Sequence, residues 1–373
     1  MRALLAVSLI PCACGVSARH HVDELPNDGT RAWRELEQGP SNGRNLCISG
    51  HQVPDFYVLG VQKCATTSLA MDLMAAGIAN VHGEKNPKEF HWFDHRMNFS
   101  LGDNGVVENR RSFLRWMPAC PRAGLAQLRG AVPRQALADF TPDYLRLVPR
   151  PTDLKPQGEW LGVFTKNFSM PLELQRLYGL VLAPRLRFAV VLRRPLMQMQ
   201  SAWYHARSFK FRNGCTSCKA PSFRDALTAL VTGLEASPPR YNAWLWTVLY
   251  ARHLEVWFEH FKPSQFQVIP AEVYTNSLYK DGVCRSISQH IDFHMDCDSR
   301  GQKPTHTWSH PHPSLFDDAP QELRTRFGRF MDKERLRLVG LLATSEARGL
   351  SLAGYRGESG SQDAVEKWLS MNW

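Results

Sequence analysis

The sequence predicts an α/β fold, a single domain in which helices flank a central parallel sheet. Three short apolar runs, at residues 56–59, 188–192 and 266–269, have the composition of buried parallel strands. Helical patterns follow the first two runs. With 373 residues, 43% of them hydrophobic, the chain is long enough to form one large α/β domain.

Turn-rich segments before and after the apolar runs place the predicted domain at residues 51–356. Residues 19–50 are rich in turn-forming residues and predict a polar stem. Apolar spacing predicts a long helix over residues 241–261 and further helices around residues 170–178 and after Ala319. Residues 357–363 are expected to be a flexible link within a short C-terminal tail, 357–373.

The first apolar run leads into a loop suited to binding a phosphate. Gly60 ends the run, and Thr66, Thr67 and Ser68 begin a helical pattern. Free N–H groups and the positive dipole end of such a helix face one point. Lys63 adds a full charge inside the loop, but its spacing differs from a Walker A loop. The simpler alternative is a strand–turn–helix unit with an incidental lysine.

A second polar cluster, within residues 86–94, mixes charged groups with three aromatic residues. Glu89 is a candidate general base because apolar surroundings raise the pKa of a carboxylate and a nearby cation lowers it. Lys88 and Asp94 supply a cation and a second carboxylate, and His91 supplies an imidazole. The alternative is an amphipathic edge strand with solvated charges.

The second apolar run ends in an arginine, Arg193, and Ser201 lies eight residues further on. In an α/β sheet, ligands gather at the carboxyl ends of the strands. An arginine fork with a hydroxyl on the following helix can hold a second phosphate. The alternative is an exposed arginine with no ligand.

These elements resemble motifs of the sulfotransferases, especially those that act on heparan sulfate and other glycosaminoglycans. The first loop is similar to their 5′-phosphosulfate loop, Gly-x-x-Lys-x-Gly-Thr-Thr-x-Leu, with Ala65 in place of the second glycine. Residues 88–94 resemble the segment Lys-Glu-Pro-His-Phe-Phe-Asp, with Phe90 in place of proline. Arg193 and Ser201 match the 3′-phosphate element, in which Gln198 replaces an arginine.

The resemblance covers roughly residues 54–345 and implies a P-loop-NTPase-like sulfotransferase fold. It implies transfer of a sulfuryl group from 3′-phosphoadenosine 5′-phosphosulfate (PAPS) to a carbohydrate hydroxyl or amine, without a metal. Glu89 would be the base, Lys63 would stabilise the leaving phosphate, and Lys88, His91 and Asp94 would contact the acceptor. The residues implied in donor binding are Gly60, Lys63, Cys64, Ala65, Thr66, Thr67, Ser68, Arg193, Ser201 and Lys303.

Two departures from the family pattern concern the acceptor and the nucleotide. Residues 139–144 resemble the family element Glu-Lys-Thr-Pro-x-Tyr, but Phe140 stands where a substrate-facing lysine is usual. A heparan-like acceptor therefore lacks one expected cation. In sugar sulfotransferases, a late loop with the pattern Lys-Gly-Arg-x-His-Pro closes over the nucleotide. Here Trp308 and His310 stand in place of its lysine and arginine, and Lys303 is the nearest substitute.

The amino terminus predicts entry into the secretory pathway. Residues 1–18 combine Arg2, an apolar stretch and the small-residue pattern Val16-Ser17-Ala18, which favours a cleaved signal peptide over a signal anchor. Sequons at Asn98 and Asn167 agree with this. The expected location is the Golgi lumen or the exterior, with membrane anchoring through the amino terminus as the alternative.

Beyond the signal, seven cysteines remain, so at least one is unpaired or forms an intermolecular bond. Cys64, inside the phosphate loop, is the natural free thiol. The resemblance to sugar sulfotransferases, which carry a late disulfide, implies a bond between Cys284 and Cys297. Cys215 and Cys218 could close a tight local loop or bind zinc. A second CxxC motif is missing and the late histidines are separated by prolines, so no metal site is expected.

The net charge of +10 favours a polyanionic partner. The charge is dispersed and no nucleic-acid motif occurs, which favours an anionic polysaccharide over nucleic acid. Three alternatives remain: a P-loop kinase that uses ATP, a sulfotransferase with a non-carbohydrate acceptor, and an inactive secreted lectin-like binder of acidic glycans.

Overall fold

The computed structural model describes residues 45–81, 88–96, 105–121, 134–149, 153, 155–156, 168–208, 220–297 and 314–372. These residues all belong to one compact unit, Gly39–Trp373. The predicted signal segment, the asparagines of both sequons, Cys215, Cys218, the late histidines and Lys303 lie outside the described residues.

Six strands form one sheet in the order β10-β9-β7-β3-β5-β4, and every neighbouring pair is parallel. The three predicted apolar runs are the adjacent strands β3, β7 and β9, so the predicted fold class is confirmed. The strands are β1 (Cys47–Ile48), β2 (His51–Gln52), β3 (Phe56–Gly60), β4 (Ala79–Asn80), β5 (Leu137–Asp139), β6 (Lys155–Pro156), β7 (Arg187–Leu192), β8 (Arg240–Tyr241), β9 (Phe266–Pro270) and β10 (Ser351–Leu352).

Helices flank the sheet and connect its strands. They are α1 (Thr66–Ala75), α2 (Gly105–Leu114), α3 (Met170–Leu182), α4 (Pro195–Ser208), α5 (Phe223–Leu234), α6 (Ala243–Val248), α7 (Tyr250–His260), α8 (Ala271–Thr275), α9 (Ser277–His290), α10 (Leu315–Asp318), α11 (Gln321–Glu346) and α12 (Gln362–Asn372). Among the described residues, no helix is long and apolar enough to cross a bilayer.

The predicted long helix over residues 241–261 is wrong, because this stretch contains a strand end and two helices. The side chain of Asn242 accepts a hydrogen bond from the N–H of Leu245 (3.0 Å) and so starts α6 after β8. Leu249, with φ −81° and ψ 58°, then separates α6 from α7. Apolar spacing continues through both helices, which is why the sequence pattern does not reveal the break.

The centre of the core lies on the three adjacent strands β3, β7 and β9, whose side chains are almost all buried. The Phe188 ring is 4.7 Å from that of Phe266 and 4.8 Å from that of Phe261, measured between centroids. Contacts of this kind contribute packing energy beyond simple area burial. The six strands of this sheet run in parallel, so their carboxyl ends lie at the same end of the sheet. The candidate site lies at that end.

Within the predicted C-terminal tail, residues Gln362–Asn372 form the packed helix α12. Val365, Trp368 and Leu369 of α12 are buried, and the Trp368 indole donates to the carbonyl of Ala353 (3.2 Å). The helix therefore belongs to the domain.

Within the part of the chain that the structure describes, two disulfides are present. Cys284 is bonded to Cys297, as predicted, and Cys47 is bonded to Cys120, a pairing that the sequence left open. Cys64 is free and buried, as expected. Disulfides persist in oxidising compartments, which is consistent with the secretory pathway.

Candidate active site

The loop between β3 and α1 has the geometry of an anion cradle. Gly60 has φ 137°, and a Cβ at this position would overlap the carbonyl oxygen of Pro142. Lys63 (φ 70°) and Ala65 (φ 62°) both adopt left-handed backbone conformations. These conformations fold the chain tightly from the strand end into the helix, which is the shape that brings backbone N–H groups together.

The first turn of α1 offers free hydrogen-bond donors. No side chain caps this helix end, so the N–H groups of Thr66, Thr67 and Ser68 have no cap partner. Cys64 does not add another donor. Its N–H bonds to the carbonyl of Val61 (3.1 Å) and its thiol is fully buried, which raises the pKa of the thiol to about 12.

The end of β7 and the start of α4 hold this loop in place. Arg193 donates through Nη1 to the carbonyl of Lys63 (3.0 Å), and Gln198 donates through Nε2 to the carbonyl of Gln62 (2.9 Å). The Tyr250 hydroxyl in turn donates to the carbonyl of Arg193 (3.0 Å). The break between α6 and α7 therefore places Tyr250, the first residue of α7, against the site.

Positive charge dominates around this loop. Burial lowers the pKa of Lys63, and the charges of Arg193 and Lys88 lower it further. Neither Lys63 nor Arg193 forms an ion pair with any described carboxylate. Such a concentration of cations is unfavourable alone and favourable once an anion binds.

The segment predicted to hold the base lies directly against the phosphate loop. The ammonium of Lys88, a buried residue, donates to the Thr67 hydroxyl (3.0 Å) and forms an ion pair with Glu89. Glu89 and the start of α1 are therefore joined through one side chain. The alternative of a solvated edge strand is excluded, because Lys88 and Asp94 are only 5% and 3% exposed.

His91 lies between the two carboxylates of the segment. Its Nε2 is 2.9 Å from Oε2 of Glu89, and its Nδ1 is 2.8 Å from Oδ2 of Asp94. Burial would lower the pKa of His91, but hydrogen bonds to Asp94 and Glu89 raise it to about 10. Burial would likewise raise the pKa of Glu89, but the hydrogen bond from His91 and the charge of Lys88 hold it below its usual value. At neutral pH, Glu89 is ionised and His91 is an imidazolium.

The turn after β5 anchors this segment through its backbone. The N–H of His91 donates to the Thr141 hydroxyl (3.0 Å), and the N–H of Trp92 donates to the Tyr144 hydroxyl (2.9 Å). Both hydroxyls donate to the carboxylate of Asp139, over 2.7 Å and 3.0 Å. Burial raises the pKa of Asp139 to about 6. Phe140, in the family's lysine position, is fully buried in the core.

The structure brings most of the predicted site residues to one edge of the sheet. Ser201 lies on α4, one turn after Gln198, and is partly exposed. Sequence reasoning missed the supporting roles of Gln198, Tyr250 and Glu272. Burial raises the pKa of Glu272, against the lowering effect of the Arg193 and Arg194 charges. Glu272 lies two residues after the end of β9, and that position is the signal that would have pointed to it.

Within the described ranges, no group of three or more His, Cys, Asp or Glu side chains could hold a metal ion. No protein-family model matches the chain, and no curated protein matches it. Among solved structures, the chain is similar to the crystal structure of a sulfotransferase from Alicyclobacillus acidocaldarius, with 18% identity and a TM-score of 0.47. The match covers 78% of this chain and 96% of the other. Similarity at this level does not identify the reaction of this chain.

Proposed function

We propose that this protein is a sulfotransferase that moves a sulfuryl group from PAPS to a hydroxyl or amine of a carbohydrate, with Glu89 as the general base. The single observation that carries the proposal is the position of Lys88. Its ammonium contacts both Thr67, at the start of α1, and Glu89. A donor anion in the loop and a proton acceptor are therefore adjacent, as a group transfer between two substrates requires.

The donor side suits a nucleotide with two phosphate groups. Uncapped N–H groups of α1 and the charge of Lys63 offer a site for the 5′-phosphosulfate. Arg193 and Ser201, at the carboxyl end of β7 and on α4, support binding of the 3′-phosphate. PAPS supplies the activated sulfuryl group.

The residues on the acceptor side would then handle the proton. Glu89 is ionised and takes the proton from the acceptor hydroxyl or amine as the new S–O or S–N bond forms. Lys63 and the loop N–H groups stabilise the negative charge that develops on the leaving phosphate oxygen. Lys88, His91 and Asp94 keep the Glu89 carboxylate in a fixed orientation and contact the acceptor.

The carbohydrate acceptor and the secretory location are parts of the same proposal. The net charge of +10 favours an acidic polysaccharide, and the two disulfides favour a lumenal or extracellular compartment.

The test is transfer of radiolabelled sulfate from PAPS to a panel of glycosaminoglycans, neutral glycans and a phenol. Labelling of a glycan supports the proposal, whereas labelling of only the phenol assigns a non-carbohydrate acceptor. Calorimetry with 3′-phosphoadenosine 5′-phosphate is the second readout. Tight glycan binding without nucleotide binding would show a lectin-like protein instead.

A further inference from the structure

A cavity of about 620 Å³ lies at the amino ends of the strands, whereas the candidate active site lies at their carboxyl ends. Asp55 directly precedes β3, Arg187 begins β7 and Arg134 precedes β5, so the cavity lies at the amino ends of three adjacent parallel strands. Arg187 is the first of the six residues of β7, and Arg193 directly follows the last one. At about 3.3 Å per residue, the two sites are roughly 20 Å apart. We call this space the amino-end cavity.

Three arginines line the amino-end cavity, and one of them, Arg134, pairs with a buried carboxylate. Arg134 pairs with Asp55 through Nη2 (2.9 Å) and donates through Nη1 to the carbonyls of Ile291 and Asp292. Arg134 is therefore a structural member of the wall. Arg185 and Arg187 are the other two arginines of the lining, and the proposal below depends on Arg187.

Arg187 has donors left for a ligand. Its Nη1 donates to the carbonyls of Pro184 (3.3 Å) and Leu186 (3.0 Å), but within the described chain Nε and Nη2 have no hydrogen-bond partner. Arg187 forms no ion pair with a described carboxylate, although it is half-buried. Burial and the neighbouring charge of Arg134 lower its pKa. A planar anion that accepts two parallel hydrogen bonds matches this guanidinium edge.

The rest of the lining favours a sugar ring over a bare inorganic anion. Phe293 is half-buried, and Pro184 is exposed, so both offer apolar surface to one face of a ring. Asp292 is exposed at the rim, where its carboxylate can accept hydrogen bonds from hydroxyl groups but would repel a simple anion. The volume lies within the range of small-ligand pockets.

We propose that the amino-end cavity binds an acidic saccharide, with its carboxylate or sulfate on Arg187, its ring face on Phe293 and a hydroxyl on Asp292. This is a second carbohydrate site, separate from the site of sulfuryl transfer. It requires no turnover, so it stands or fails independently of the proposed reaction.

The test is calorimetry of the full chain with a sulfated, uronic-acid-containing disaccharide, combined with hydrogen–deuterium exchange to locate the binding. We expect protection of residues 184–187 and 291–294, with affinity at least ~10-fold weaker in Arg187→Gln. Arg187→Lys keeps the charge but loses the two parallel N–H donors of the guanidinium, so its affinity should lie between those of the wild type and Arg187→Gln. The Lys63→Ala variant should bind as tightly as the wild type, since Lys63 lies at the other edge of the sheet.

Arg348→Gln is the matched control, because Arg348 is an exposed arginine away from the cavity, and its affinity should stay within about twofold of the wild type. If Arg187→Gln fails to fold in a thermal melt, Phe293→Ala, which removes the ring that would pack on the sugar, replaces it, and its affinity should also fall. Absence of protection at these segments would overturn the proposal. Equal protection by a neutral disaccharide, or by inorganic sulfate at the same concentration, would also overturn it.

Discussion

The two sides of the candidate active site differ in how their charges are balanced. On the acceptor side, Lys88, Glu89, His91 and Asp94 alternate in sign, and each contacts the next one in space. On the donor side, Lys63 and Arg193 form no ion pair within the described residues. The difference agrees with the proposed function, in which an anionic donor completes the first side and an uncharged hydroxyl or amine meets the side that is already balanced.

The strongest test of this comparison replaces one residue on each side. Lys63→Ala and Glu89→Gln should each lower kcat at least ~100-fold, since the first removes electrostatic stabilisation of the leaving group and the second removes the base. Only Lys63→Ala should also weaken binding of 3′-phosphoadenosine 5′-phosphate, as measured by calorimetry. Lys262→Ala, an exposed lysine elsewhere, is the control. Near-normal turnover in Glu89→Gln would remove Glu89 from its role.

The next test loosens the acceptor side without touching its charges. Tyr144→Phe removes the hydroxyl that joins the N–H of Trp92 to Asp139. We expect kcat to fall about 10-fold with donor affinity unchanged, because the base is misaligned. Tyr57→Phe, which loses another buried hydroxyl contact (2.8 Å to Tyr178), should leave kcat unaltered. Equal losses in both variants would point to general destabilisation.

A third test uses the pH dependence of kcat/KM. The pKa of Glu89 is lowered, so activity should persist well below neutrality and fall only as acid protonates Glu89. In His91→Asn, one of the two cations that lower this pKa is lost, so the acid limb should move to higher pH. At high pH both proteins should lose activity as Lys63, whose pKa is also lowered, deprotonates. Superimposable profiles would contradict this account.

The smallest expected effect concerns the backbone of the donor loop. Ala65 has φ 62°, a conformation that costs an alanine about 1–2 kcal/mol and costs glycine nothing. After the greater chain entropy of glycine is subtracted, Ala65→Gly should stabilise the protein by up to about 1 kcal/mol in urea unfolding. Ala70→Gly, inside α1, should destabilise it by at least about 1 kcal/mol.

The sequence predicted the parts of the fold and site that depend on local pattern. Apolar runs located β3, β7 and β9, and the resemblance to known motifs singled out Glu89, Lys88 and Arg193 as site residues. The long helix failed because Asn242 caps a new helix inside a continuous apolar pattern. The Cys47–Cys120 bond joins residues 73 positions apart, and no local pattern specifies such a pair.

The roles of Asp139 and Tyr144 were also beyond the sequence. Their motif was interpreted as an acceptor contact with one cation missing, whereas the structure shows it anchoring the backbone of the neighbouring segment. This role depends on hydroxyl and N–H groups that meet only after β5 has joined the sheet.

The close approach of Gly60 to Pro142 has a consequence for protein engineering. Because no side chain fits between the donor loop and the turn after β5, these two segments have a fixed spacing. In that same turn, the hydroxyl groups of Thr141 and Tyr144 accept hydrogen bonds from the backbone of residues 88–94. If the proposed function holds, a change of acceptor preference would require both segments, 88–94 and 137–144, to be replaced together.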